Sequence, residues 1–138
     1  MEKDKNMHAN LAMQQYRQNH IHGSVETASP HRLVQMLMEG VQEKLLAAKG
    51  FMAKNDIAKK GEHISWAISI IDSLRACLDF EQGGEIAANL GNLYDYMERR
   101  LLEANLKNDP AMIDEVGMLM AQIKSGWDAI PAEFHHAK

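Results

Sequence analysis

Four apolar stripes at three- and four-residue spacing, separated by short breaks, run through this sequence and leave it few ways to fold. The first is Val34, Leu37, Val41, Leu45, Ala48 and Met52. The second is Ile57, Ile64, Ile68, Ile71 and Leu78, interrupted by Gly61 and Arg75. A third follows at Ile86, Leu90, Leu93, Met97, Leu101 and Ala104, and a fourth at Ile113, Val116, Met120, Ile123, Trp127 and Ile130. Such spacing gives a helix one greasy face that must be covered.

The punctuation agrees. Ser29 is a good N-cap, and Pro30 takes the first helical position, where a missing N–H costs nothing. That helix is expected to reach about Lys54, and Asn55-Asp56 makes the break. A second runs from Asp56 to about Asp79, and Gly83-Gly84 separates it from a third, about Glu85 to Lys107. Asn108-Asp109-Pro110 repeats the cap-then-proline device for a fourth helix that ends before Pro131. Short connections make neighbouring helices antiparallel. The expectation is an all-α, antiparallel up-down-up-down four-helix bundle over 29–131. A weakly structured N-terminal arm, 1–28, precedes it and a C-terminal tail, 132–138, follows.

Composition narrows the function. A chain of 138 residues suits one domain with a real core. Its net charge of −4 argues against a nucleic-acid binder driven by phosphate contacts. One cysteine, Cys77, leaves no internal disulfide and no Cys-based zinc cluster. The charged start MEKDKNMHAN is no secretory signal, and no run approaches the roughly 18 apolar residues needed to span a bilayer. A cytoplasmic location without membrane insertion is expected.

Chemistry is hard to assemble from these residues. Gly83-Gly84 is too short for a phosphate loop and lacks the Lys-Ser/Thr that would follow. His20 with His22, and His135 with His136, have no acidic or thiol partners nearby. The Glu-x-x-His spacing of di-metal bundles occurs only at Glu133–His136, beyond Pro131, away from any core. Cys77 has no neighbouring histidine, and Arg75 is expected to pair with a carboxylate on an adjacent helix, such as Glu103. No cofactor and no enzyme activity are expected. The chain reads as a binding protein.

What it binds with is suggested by a surplus. Beside its stripe the first helix carries Leu33, Met36, Gly40, Ala47 and Phe51, and the second carries Trp66, Ile70, Leu74 and Cys77. A bundle helix touches two neighbours, so a wide buried arc accounts for some of these. Covering the Trp66 row as well calls for the arm or another chain, and an uncovered strip would mark an interaction site. Ten methionines fit an adaptable surface, though they also fill cores.

Several segments taken together resemble the FliS family of flagellar secretion chaperones. They are Tyr16 followed by SVETASPHRLVQMLMEG, then KGEHISWAISIIDSLRACLD, then GGEIAANLGNLYDYMERRLLEANLKND. The more specific motifs are Thr27-Ala28-Ser29-Pro30, Gly83-Gly84-Glu85, and Leu93-Tyr94-Asp95-Tyr96-Met97 ahead of Arg99-Arg100-Leu101-Leu102. Met38 stands where the family usually has an aromatic, and Gln15 where it has alanine. The resemblance implies a cytoplasmic export chaperone that uses no ATP. It would hold the C-terminal helical region of flagellin, prevent premature polymerisation and help deliver the subunit to the flagellar export apparatus. The resemblance also implies that the arm around Tyr16 lies over the bundle and takes part in binding. The candidate partner-binding residues are therefore Tyr16, Leu33, Phe51, Trp66, Ile70, Leu74 and Cys77. The competing expectation is a bundle that self-associates through the same surface as an adaptor or structural protein.

Overall fold

A computed structural model describes residues 28–134 of the chain. Tyr16, most of the arm and the last four residues lie outside them. Helix α1 spans Pro30–Ala53, α2 Ile57–Ala76, α3 Phe80–Lys107 and α4 Pro110–Asp128, and a single 3₁₀ turn, Ala132–Phe134, follows. α1 and α3 each pack on α2 and on α4, so the four antiparallel helices form a square bundle.

Each helix starts where a side chain can take up its free N–H groups. Ser29 Oγ accepts from Arg32 N at 3.1 Å ahead of Pro30, and Asp56 Oδ1 accepts from Lys59 N at 3.2 Å. Asp109 does the same for Ala111 N ahead of Pro110. Asn55 and Asn108 take positive φ, 57° and 52°, where a short polar side chain is tolerated. At the end of α3, buried Lys60 donates to Asn105 O (3.1 Å) and Asn108 Oδ1 (3.2 Å). Its ammonium thus meets the negative end of the helix dipole, which makes a buried lysine tolerable.

α3 departs from the expected start. Asp79 accepts from Glu81 N and Gln82 N, both at 3.1 Å, and starts a turn at Phe80. The chain then breaks at Gly84 (φ 51°, ψ −125°), a conformation that only glycine adopts freely. The glycine pair therefore does interrupt the helix, one turn inside it.

The core is the four stripes, with Val41, Ala48, Ile71, Met97, Leu101, Val116 and Met120 fully enclosed. It is wider on α2 than the stripe alone. Ile70 and Leu74 are each only 3% exposed and belong to the core, so they are not an open row. A helix wedged between two neighbours buries a broad arc, and that accounts for this part of the surplus. Conversely, Ile57 and Ile86, both placed in the core stripes from the sequence, are 73% exposed. Arg75 does pair with carboxylates of the adjacent helix, but with Asp95 and Glu98 of α3 as well as Asp72 of its own helix. Glu103 is engaged instead by Arg100 and Lys107, farther along α3.

Candidate functional site

At the end of the bundle where α1 and α3 begin lie the terminal parts of the α3 and α4 stripes. A cavity of about 470 Å³ opens between them. Ile86, Leu90 and Tyr94 line it from α3, and Gln122, Ile123, Gly126, Trp127 and Ile130 from the end of α4. Val34, Met38, Leu74, Cys77 and Leu78 complete the lining from α1 and the end of α2. Gln122 is the one lining side chain with an amide, and none is charged. From residue 86 to 94 a helix rises about 12 Å, so the groove is two helical turns long.

Local structure holds it open. The break at Gly84 sets the course of the chain just ahead of Ile86. The preceding turn is fixed because Phe80 packs against Gly91, where an added Cβ would lie 3.5 Å from the Phe80 ring. On α4, the Trp127 indole stacks on buried His31, with centroids 4.7 Å apart and planes 8° from parallel. Its Nε1 donates to His31 O at 3.0 Å. One face of that ring is thus fixed to α1. The Gln35–Asp128 hydrogen bond (2.6 Å) ties the same two helices at their rim.

Farther along, a polar network joins α3 and α4. Tyr96 OH donates to Glu115 Oε2 (2.5 Å), and Arg100 Nε donates to Glu115 Oε1 (2.6 Å). Arg100 also donates through Nη1 to Glu103 Oε2 at 3.0 Å. The Tyr96 hydrogen bond and then Arg100 hold the Glu115 carboxyl below the usual carboxylate range. Beneath the network, Met97, Val116 and Met120 are completely enclosed.

The titratable groups in the groove are quiet. Burial, with a smaller contribution from Cys77, pushes the Tyr94 phenol up to about 12. Cys77 is exposed as a residue, yet apolar surroundings push its thiol up, away from the reactive thiolate. Among the described residues no group of three or more His, Cys, Asp or Glu is placed to hold a metal. Nor is any described helix long and apolar enough to cross a membrane. A larger cleft of about 670 Å³ lies by the first turn of α3, beside Arg75, Asp79, Phe80, Gly91 and Asp95. Its one cation is already engaged by three carboxylates, so the smaller, drier groove is the better docking surface. What that groove can do is take up apolar side chains.

The seven residues named from the sequence are dispersed. Leu74 and Cys77 line the groove. Ile70 is interred in the core, so a charge placed there reports on folding and not on docking. Leu33, Phe51 and Trp66 are half-buried. Phe51 and Trp66 meet at the seam of α1 and α2: His63 lies between their rings, 5.0 and 6.3 Å away. Lys44 Nζ sits 3.5 Å over Trp66, and Lys59 Nζ 5.5 Å over Phe51. Tyr16 lies outside the described residues. Sequence reasoning placed Ile86, Leu90, Ile123, Trp127 and Ile130 in core stripes and did not see that they line a cavity; Ile86 is exposed, while Leu90, Ile123 and Trp127 do pack partly buried against the core. The available signal was at the ends: a stripe that starts directly after Gly83-Gly84, and another that runs on to Pro131.

Comparison with known proteins gives a consistent answer. The family described as "Flagellar protein FliS" matches residues 12–133. The "Flagellar secretion chaperone FliSB" of Pseudomonas aeruginosa is 51% identical over 124 residues, covering 90% of this chain and 98% of that protein. The "Flagellar secretion chaperone FliS" of Vibrio cholerae is 46% identical over 91% of this chain and 92% of its own length. The Salmonella typhimurium protein of the same description is also 46% identical, over 90% and 93% respectively.

Proposed function

The chain belongs to the FliS family, and on that premise we propose that it is a cytoplasmic flagellar export chaperone that sequesters the C-terminal helical segment of flagellin. Binding is stoichiometric and uses no cofactor. It keeps the subunit from polymerising early and hands it to the flagellar export apparatus. The observation that carries this reading is the uncharged groove between α3 and α4, two turns long, lined by residues whose stripes are core elsewhere in the bundle. An amphipathic helix laid into it supplies the apolar layer the bundle lacks there, with i, i+3, i+4 and i+7 anchors against the two walls. The ordering of an unstructured segment opposes part of that gain.

Of the candidates named from the sequence, Cys77 sits in the docking surface and buried Leu74 forms part of its floor. The arm enters α1 beside Val34, and the twelve residues from 28 back to 16 reach up to about 40 Å, so Tyr16 has the length to share the site.

The test is titration of the full chain with a peptide of flagellin's C-terminal segment. Ile86→Asp changes a side chain that is 73% exposed, so the bundle keeps its melting temperature while affinity falls by more than about tenfold, the loss of one apolar anchor. Unaltered affinity in Ile86→Asp would overturn the assignment of this groove. A free chain that sediments as a stable dimer, dissolved by the same substitution, would replace the chaperone reading with self-association.

A further inference from the structure

We propose that the first turn of α3, residues 80–83, is a hinged plug that opens as a unit while the bundle stays folded, and that its opening joins the apolar groove to the larger cleft beside it. Both joints of the turn are non-helical. Asp79 is extended (φ −104°, ψ 98°) and Gly84 lies at φ 51°, ψ −125°, so the turn is a separate helical piece set at a kink to the rest of α3. Its polar ties are internal: Asp79 Oδ1 accepts from Glu81 N and Gln82 N, and Gly83 N donates to Asp79 O at 2.7 Å. Among the described residues, no side chain of 80–83 forms a hydrogen bond or ion pair with another helix. What holds the turn down is the Phe80 ring, seated where Gly91 has no side chain, with Leu78 beside it. That ring is 55% exposed, and Asp79, Glu81 and Gln82 are exposed as well. A segment with solvated hydrogen bonds and one half-seated anchor opens more readily than the enclosed core behind it, where Ala87, Tyr94 and Met97 keep α3 in place.

The two glycines have different parts in this. A Cβ on Gly83 would stand 2.7 Å from the Ala87 Cβ, inside the contact distance of two carbons, so glycine at 83 lets the turn close. Glycine at 84 supplies the left-handed joint on which it swings. Leu78 gives the opening its consequence. It lines the groove together with Ile86 and Leu90, and it lines the cleft together with Phe80 and Gly91. Lifting Phe80 bares Leu78 and the notch at Gly91, so apolar surface then runs from the groove past the end of α2 into the cleft. The plug sets how far that surface extends.

The experiment uses the full chain and the apolar dye anilinonaphthalenesulfonate, and needs no client. In a Trp66→Phe background Trp127 is the remaining indole, so dye emission sensitised by tryptophan reports on the groove. Phe80→Ala removes the anchor, and Gly83→Ala wedges the turn away from Ala87. Each variant should bind the dye at least about threefold more tightly than its parent, the gain from newly bared apolar surface, while the bundle still melts cooperatively. In the native chain, hydrogen exchange at Glu81, Gln82 and Gly83, corrected for intrinsic rates, should run at least about tenfold faster than at Ala111 and Met112. Those two amides are bound to Asp109 in the first turn of α4 and have no hinge behind them. Dye binding unchanged in both variants overturns the plug. So does exchange at residues 81–83 no faster than at Ala111 and Met112. Dye uptake that rises only as cooperative melting is lost also overturns it, since the bundle and not the turn has then opened.

Discussion

Replacing Glu98 by glutamine should stabilise this protein at pH 8 and do almost nothing at pH 4. The Glu98 side chain is 16% exposed, and its buried Oε2 makes no hydrogen bond; the nearest cation, Arg75 Nη2, lies 3.5 Å away. Arg75 is shared with Asp72 and Asp95, so three carboxylates surround one guanidinium. Burial, reinforced by the Asp72 charge and opposed by Arg75, pushes the Glu98 carboxyl up from 4.5 to about 7. A raised carboxyl pKa means the fold prefers the protonated form. Stability is therefore greatest below the unfolded value and declines as pH climbs through the window between 4.5 and 7. That span corresponds to about 3 kcal/mol as a ceiling, and solvent access and relaxation bring it to about 1–3 kcal/mol. Glutamine keeps the shape without the charge. Thermal melts at pH 4 and pH 8 should show nearly matching midpoints at the lower pH, and at the higher pH a variant midpoint raised by about 4 °C per kcal/mol. Parallel pH profiles would refute the argument. So would a variant that melts lower at pH 8, since the Arg75–Glu98 attraction would then outweigh the burial penalty.

Three further predictions address the groove, the break at Gly84 beside it and the α1 helix. Binding of the flagellin segment should shift tryptophan emission in Trp66→Phe, which keeps the groove indole, and leave it unshifted in Trp127→Phe. The opposite pattern would move the docking site to the α1/α2 seam where Trp66 and Phe51 lie. Gly84→Ala forces an L-residue to φ 51° and ψ −125° and should cost about 1–3 kcal/mol by denaturant titration. Gly50→Ala, inside α1 with nothing within 4 Å of the added Cβ, should instead gain about 0.5–1 kcal/mol.

Periodicity and caps made the bundle readable before any coordinates, because Ser29-Pro30 and Asn108-Asp109-Pro110 act within a few residues of themselves. The site was harder to see. Ile70 and Leu74 read as surplus when projected on a lone helix, yet α2 lies between two neighbours and buries both. Ile86 reads as core because its spacing is that of a core residue, yet it is 73% exposed. Where a stripe loses its partner depends on how far two helices, separated in sequence, diverge at one end. No local pattern encodes that distance. Arg75 pairs with the adjacent helix as expected, but with Asp95 and Glu98 instead of Glu103: helical spacing fixes which neighbour a side chain faces, while its position along that neighbour depends on where each helix starts. α3 starts one turn before its glycine pair.

The continuity of the α3 and α4 stripes from enclosed Met97 and Met120 to half-buried Leu90 and Ile123 has a thermodynamic consequence. A guest in the groove joins the same apolar stack that holds the host together, so occupancy and folding are linked quantities. At a hundredfold excess over its dissociation constant such a guest deepens the native well by about 2.7 kcal/mol. The empty chaperone is then the more fragile species, and its lifetime in a cell would follow the supply of its cargo.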